Sequence, residues 1–532
     1  MRSLQALLLI CAAACLHAAD LPAILPRLAA EDAAERIAVL RELAISGDIR
    51  VIPFLEDYRQ GAGYVLDGQV VLVLELKDGA GVPLDPLTRT ALRATVPATQ
   101  LSELPISRRE RIAAGEAINR LRLADPDPEA RLAAVIKAAD GANAADRGVL
   151  AEIATSDADP RVRRAAGEGT ALIDLASTDA TERTGACQRL AGLHALGARD
   201  RLVELAANDP DQAVKSAATA AISSIDTWQG GVRVAQTVFS GLSAGSILII
   251  MALGLSITFG LMGVINMAHG EMLMIGAYAT LMIQSLFTAV LPAALMPYYF
   301  PLGVVAAFAA AGVVGWLIEL TVIRHLYGRP LETLLATWGI SYLLIQTVRT
   351  IFGDNRAVTA PDWLVGGWEP ATGLVLPWNR LFIIVLTIMS IVGVWLLLSK
   401  TRLGLLVRAT TQSRRTAASL GVNTRAIDGA TFALGSGLAG AAGAALTLIG
   451  GLKPDMGQEF IIDSFLVVAA GGVGSLGGVI WAGLGLGMAN KLLEPFTQAV
   501  WAKVIVLAAI VLFLQWRPSG LFPAKGRLAD AS

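Results

Sequence analysis

The feature that most constrains this chain is a loss of charge that begins after Trp228. No acidic or basic side chain other than His269 occurs between Arg233 and Glu271, and none occurs between Glu271 and Glu319. Apolar text of that length can cross a bilayer more than once, because one helical crossing needs about 20 residues. The charges sit elsewhere: of 43 basic and 44 acidic residues, residues 1–227 hold 25 and 32, leaving 18 and 12 for the rest. A mean hydropathy of +0.58 is too high for an ordinary soluble chain. Two unlike halves follow, and a balanced charge argues against nucleic-acid binding. Of three cysteines only Cys187 lies in the body of the chain, which leaves no disulfide framework or Cys-rich metal site.

Met1 to Ala19 carries Arg2, an apolar run from Leu4 to Leu16, and small residues at Ala18 and Ala19. This is the layout of a secretory signal (residues 1–19), too short for a comfortable span, with an uncleaved anchor as the alternative. Residues 20–227 then read as an exported α-helical domain. Asp127-Pro128, Asp159-Pro160 and Asp209-Pro210 mark helix starts, because Asp caps a helix and Pro suits its first turn. Apolar residues such as Leu132 and Val135, or Val214, Ala218 and Ala221, follow at helical offsets. The starts are 32 and then 50 residues apart, with another cap at Thr178 or Asp179. They predict an irregular array of HEAT-like hairpins, with a plain bundle as the alternative. The β-rich stretch Val65 to Lys77 predicts a short strand pair inserted among the helices.

Residues 228–525 read as the membrane domain, with spans expected at about 237–262, 272–290, 301–323, 332–351, 381–399 and 426–449, and a last at 503–516 extending back toward Pro495. If residues 20–227 lie outside, Arg324, His325, Arg329 and the acid-free loop from Lys400 to Arg425 fall in the cytoplasm, as the positive-inside rule requires. Trp363, Trp368 and Trp378 then lie in an external loop. The charge-free residues 464–490 are interrupted by Gly471-Gly472-Val473-Gly474-Ser475-Leu476-Gly477-Gly478. This predicts a hairpin of two half-helices of about 13 residues, each stopping within the bilayer after about 20 Å. Two full spans or a glycine packing interface are the alternatives. The hairpin returns the tail, residues 526–532, to the cytoplasm. The fold class is all-α: a polytopic inner-membrane protein with about eight embedded elements, one a broken glycine-rich hairpin, plus an N-terminal helical domain.

No G-x-x-x-x-G-K-[ST] occurs, so any ATP is handled by a partner. The histidines are scattered without metal-ligand spacing, and neither a metal site nor a catalytic constellation is expected; the chain does not read as an enzyme. The informative segment is Gly263 to Glu271 (GVINMAHGE), where Asn266, His269 and Glu271 stand between two apolar runs. Ionisable groups there are costly unless they face protein, water or cargo. The simpler alternative is a cytoplasmic turn before the second span. Asp463 is placed to cap the broken hairpin. Glu319 lies five residues before Arg324, a poor offset for a pair on one helical face.

The GVINMAHGE segment resembles the signature of LivH-type permeases of branched-chain amino-acid and urea ABC transporters. The resemblance continues through Leu334 to Ile340, Gly404 to Ala409, Gly421 to Thr424, Gly435 to Gly443, Gly471 to Gly478 and Arg517 to Phe522, in the family's order over residues 234–525. The signal and long N-terminal domain, together with Trp338, Gly457-Gln458 and Ile461 to Phe465, resemble the urea-type branch; Ser475, Leu476, Gly477 and Ser519 depart from it. The resemblance implies a permease that moves urea or a close small amide inward, with a branched-chain amino-acid importer or a stand-alone urea channel as alternatives. It implies as partners a second LivH/LivM-type permease, two ABC ATPase subunits that bind the ATP, an external solute-binding protein and membrane lipid. A substrate path through Asn266, His269, Glu271, Gly472 and Gly474 is expected, and an ATPase coupling loop through Gly404, Arg408, Arg414, Arg415 and Gly421. A membrane-anchored scaffold fits less well, since a simple anchor needs no polar break.

Overall fold

Aspartate side chains start several helices of the N-terminal half, and they recur on a register that the Asp-Pro pairs hide. In the computed structural model, which describes residues 21–77 and 79–522, the chain divides into two compact units at Trp228 and Gln229. The expected signal segment and the tail 526–532 lie outside the described residues.

In the first unit, α1 (Ala33–Ile45), α2 (Ile52–Gln60) and α3 (Arg108–Arg122) share a core of Leu40, Leu43, Phe54, Leu55, Tyr58 and Leu121. Between α2 and α3, β1 (Gly63–Leu66) pairs antiparallel with β2 (Gln69–Leu72). The turn is Asp67-Gly68, with φ of 50° and 80°, the two positive values a tight hairpin requires. The expected strand pair therefore exists but ends at Leu72; Lys77 belongs to a second small sheet.

Next, α4 (Pro128–Gly141), α5 (Arg147–Ser156) and α6 (Pro160–Asp174) recur as α7 (Ala180–Leu193), α8 (Arg199–Asn208) and the start of α9 (Gln212–Met262). The landmarks shift by 52 residues: N-caps Asp127 and Asp179, left-handed C-caps Ala142 and His194, and the pairs Arg131–Asp157 and Arg183–Asp209, both at 2.8 Å. Arg147–Asp174 and Arg199–Asp226 repeat in the same way. The repeat is regular, and the expected irregularity came from taking Asp209 as a helix start. Asp211 caps α9 by accepting from Ala213 N at 2.7 Å, whereas Asp209 is the counterpart of Asp157 and binds Arg183.

Arg131 also donates to the carbonyls of Asp125 and Pro126 at 2.7 and 3.1 Å, and Arg183 to those of Ser177 and Thr178 at 2.9 and 3.1 Å. Each arginine thus satisfies turn carbonyls that the helix leaves open. Arg131→Met keeps the apolar stem and removes these bonds, so a loss of about 2–3 kcal/mol is expected, read as faster hydrogen exchange across residues 125–160. Arg131 and Arg183 hold the Asp157 and Asp209 carboxyls below the ordinary carboxylate range. At Glu110 burial pushes the carboxyl up, but bonds from Ser107 and Arg36 outweigh it and the net shift is down. Carboxylates depressed by folding stabilise fully above their unfolded value and lose that contribution as pH falls through the folded one. Exchange protection in this unit should hold from about pH 7 to about pH 5 and decline below about pH 4; full protection at about pH 3 would contradict this.

Among the described residues, the second unit together with α9 contains six helices long and apolar enough to cross a membrane: α9, α10 (His269–Val290), Ala294–His325 with α11 (Tyr299–Thr321) at its centre, α13 (Trp378–Lys400), α16 (Thr424–Leu446) and α18 (Leu476–Trp516). Between α11 and α13 lies α12 (Pro330–Phe352), with Glu332 in its first turn and Arg349 in its last. Two short helices, α14 (Arg402–Gln412) and α15 (Arg414–Ser419), precede α16, and α17 (Met456–Gly471) precedes α18. Gln498, at φ 66° three residues after Pro495, breaks α18 into two helical segments. Glycines let α16 lie backbone to backbone on α10 and α11: a Cβ at Gly443 would stand 1.9 Å from Leu273 O, and one at Gly440 2.4 Å from Ala307 O. Small residues allow this close approach where no hydrophobic drive separates helix from lipid.

The glycine segment is a tight turn between two helices, but not the tip of two half-helices: α17 has 16 residues and α18 runs about 22 before its break, so the arms reach about 24 and 33 Å at 1.5 Å per residue, and the second is long enough for a full crossing of about 30 Å rather than a stop within the bilayer. The turn, with φ of 100° at Gly472 and 79° at Gly474, packs on the end of the chain: Leu521 N donates to Ala470 O at 2.7 Å, and Phe522 N to Gly471 O at 3.2 Å. The tip therefore shares one end of the unit with Arg517 and, through Gly260 beside Gly474, with the end of α9. Thr411 Oγ1 donates to Leu261 O at 3.1 Å, which places the Arg402–Ser419 loop at the same end. We refer to it as the basic end.

Candidate functional site

The chain leaves α9 at Met262, yet His269, seven residues later, meets the carbonyl of Met251 at 3.1 Å. Met251 lies eleven residues back along α9, about 16 Å from its end. Residues 263–268 therefore climb back into the unit, and α10 starts deep inside it. On the other side, Glu271 Oε1 accepts from Ser341 Oγ at 2.8 Å and Thr337 Oγ1 accepts from Met267 N at 3.1 Å. Ser341 is eleven residues into α12, again about 16 Å from the basic end. Both routes place the break near half of a hydrocarbon core of about 30 Å. A tight turn at the end of α9 would not carry His269 back beside Met251.

Asn266 and His269 are fully buried and Glu271 is 1% exposed. The Met251 carbonyl only accepts, so His269 carries its proton on Nε2 and leaves Nδ1 as an acceptor. Asn266 Oδ1 accepts from Ala268 N at 3.0 Å. Three polar atoms then have no protein partner among the described residues: Asn266 Nδ2, His269 Nδ1 and Glu271 Oε2. Glycines make the room: a Cβ at Gly254 would stand 3.1 Å from His269 Cε1, and one at Gly457 2.8 Å from Glu271 Oε2. One amide donor and two acceptors thus stay unspent in the interior of the unit, where such groups are costly unless they meet protein, water or cargo.

Thr337 and Ser341 were not among the expected site residues. Their signal was a stripe of buried hydroxyls at Thr333, Thr337 and Ser341, four residues apart on one face of α12. Gly472 and Gly474 lie away from this cluster, at the tip of the glycine hairpin against Phe522 and Gly260. Asp463 lies inside α17 rather than at its start; it meets Lys503 at 3.5 Å and lines a cavity of about 430 Å³ with Arg380, Asn490 and Lys491.

The basic-end loop is tied to the spans. Arg414 pairs with Asp428, the latter buried in the first turns of α16, and its guanidinium stands 4.6 Å from the centre of the Tyr327 ring. Burial pushes the Tyr327 hydroxyl well above its usual range, so the ring stays neutral beside the cation. Arg324 reaches the buried Glu319 at 3.0 Å. That pair forms despite its poor helical offset because α11 ends at Thr321 and Arg324 sits in a following 3₁₀ turn. Gly404 packs under the last carbonyls of α13, where a Cβ would stand 2.2 Å from Leu398 O. Gly421, at φ 84°, turns the chain toward α16. Arg408 and Arg415 are exposed. Releasing the loop with Arg414→Ala is expected to speed tryptic cleavage at Arg415 and Arg425 several-fold; unchanged cleavage would show that the pair does not hold it.

A family profile described as "Branched-chain amino acid transport system / permease component" matches residues 237–514. That is more than half of the chain. The chain belongs to this permease family. It is 31% identical to the high-affinity branched-chain amino acid transport system permease protein BraD of Pseudomonas aeruginosa over 297 residues, covering 54% of this chain and 94% of that protein. It is 29% identical to LivH of Escherichia coli K12 with the same coverage, and 27% identical to LivM of that organism over 52% of this chain and 68% of LivM. No solved structure matches the chain. The permease match lies wholly in the second unit and nearly exhausts BraD and LivH, so those relatives have no counterpart of the first unit. The relatives are transport permease components, and with its apolar helices the chain is a multi-pass membrane permease.

Proposed function

We propose that this chain is a permease subunit of an ABC importer in the inner membrane, and that its solute passes the break at Asn266, His269 and Glu271. The observation that carries this reading is the set of three unspent polar atoms in a permease-family helical core. The solute would exchange its hydration for Asn266 Nδ2 as donor and for His269 Nδ1 and Glu271 Oε2 as acceptors. ATP would be hydrolysed on two partner ATPase subunits. The loop from Gly404 to Gly421 would receive their movement, with Arg408 and Arg415 facing them and Arg414 passing the displacement to α16 through Asp428. A second LivH/LivM-type permease and an external solute-binding protein would complete the assembly.

The relatives' names favour a branched-chain amino acid as cargo. Urea, or a close small amide, is the second reading, favoured by the N-terminal unit that BraD and LivH lack. In the orientation that the positive-inside rule favours, residues 20–227, read as a HEAT-like solenoid, would lie outside, and the basic end would face the cytoplasm. The test is labelled-solute uptake in urease-deficient cells with and without the gene. Leucine uptake blocked by isoleucine but not acetamide would assign an amino-acid importer; urea uptake blocked by acetamide but not leucine would assign the amide reading. Gene-independent uptake of both would remove the proposal.

A further inference from the structure

The first unit is acidic by count, but one groove in it is not. A groove of about 1000 Å³ runs between α1, α2, α3 and α4 and is lined by Arg41, Arg59, Arg108, Arg111, Arg120 and Lys137, against only Glu116 and Asp146. None of these six cationic head groups has a hydrogen-bond or ion-pair partner among the described residues. Elsewhere in the unit arginine is mostly committed: Arg36, Arg131, Arg147, Arg183, Arg189 and Arg199 all meet carboxylates. The unit has carboxylates enough to neutralise the groove and leaves it unneutralised.

The cations are spread along an extended track. Arg108, Arg111 and Arg120 stand along α3, with Arg111 and Arg120 on opposite flanks of the face that lines the groove, and from 108 to 120 that helix rises about 18 Å. Arg59 crosses α3 at Gly115, where a Cβ would stand 3.7 Å from Arg59 Cζ. Arg41 on α1 and Lys137 on α4 form the walls, and the exposed apolar side chains of Ile45 and Ile112 lie among them. A single phosphate or carboxylate would engage two or three of these groups and leave the rest repelling one another. A polypeptide with several carboxylates and an occasional apolar side chain matches both the length and the composition of the track. The tail of this chain, Pro523 to Ser532, has one acidic residue against two basic ones and does not match.

We infer that this groove docks an acidic segment of a separate protein. Association is steered by charge and weakens with salt.

The test uses the full chain in detergent micelles and a fluorescent Glu-rich decapeptide with leucine at two positions, followed by anisotropy. Peptide binding at low salt is expected, with affinity falling at least tenfold in R111E/R120E and also falling at physiological ionic strength. Arg109→Glu changes an exposed residue of the same helix outside the groove, and it should bind as the parent does. If R111E/R120E fails to fold, R41Q/Lys137→Gln removes charge from the walls and should lower affinity in the same direction. Undiminished binding in the groove variants, an equal loss in Arg109→Glu, or displacement of the peptide by inorganic phosphate at an equal concentration would each overturn the inference. The last would mark a small-anion site, and self-association that saturates the groove would mark a second copy as its occupant.

Discussion

Gly276→Val should abolish recovery of folded permease. A Cβ at Gly276 would stand 2.1 Å from Gly440 O and 2.4 Å from Gly440 Cα, both backbone atoms of a facing helix that cannot swing aside. Relief requires α10 and α16 to separate, and with them the contacts of Gly443 on Leu273 and of Gly254 on Gly435. Overpacking of a closed core commonly costs about 1–3 kcal/mol and more where backbone meets backbone. The expected result is loss of the monodisperse peak in detergent chromatography at equal synthesis. Gly339→Ala is the matched control: nothing lies within 4 Å of a Cβ there, and a helix interior gains about 1 kcal/mol from the exchange. If Gly276→Val yields normal protein, the backbone packing of α10 on α16 is wrong.

The second large effect is on transport. Asn266→Ala removes an unspent donor and Glu271→Leu removes both the unspent acceptor and the partner of Ser341. Each is expected to lower uptake by about tenfold or more, since a buried hydrogen bond to a charged group is worth about 1.5–3 kcal/mol. Ser341→Ala leaves the unpartnered Oε2 of Glu271 in place and should cost less. The loss must appear with the assembled complex at parental levels, because a merely structural role would reduce assembly in step. Unchanged uptake at equal expression in Asn266→Ala would remove this residue from the path.

How much of this was legible differs by region. The membrane unit could be read because charge costs too much in lipid to be scattered by chance, so the empty stretches and the lone Asn266, His269 and Glu271 stood out. Their partners did not: Thr337 and Ser341 are neutral hydroxyls that can satisfy themselves on their own helix, and only the fold brings them to Met267 and Glu271. The depth of the break was also hidden, because GVINMAHGE has the length of a turn whether it stays at the surface or climbs back. In the first unit the caps were visible but the 52-residue repeat was not. It is carried by Asp127, Arg131, Asp157 and their counterparts rather than by an apolar motif, and one Asp-Pro pair fell on the wrong member of the set. The basic groove was hidden by net charge, since the cations that line it are outnumbered by carboxylates paired elsewhere.

Concentrative import separates a permease driven by partner ATPases from a channel. The deciding measurement is the internal concentration of labelled leucine and of labelled urea in metabolically trapped-out cells, followed over time at low external solute, with the gene present, deleted or carrying Asn266→Ala. One solute is expected to accumulate above its external level in a gene- and ATP-dependent manner, with Asn266→Ala lowering this at least severalfold while the complex stays intact. Equilibration without accumulation, or accumulation indifferent to the gene, would contradict it.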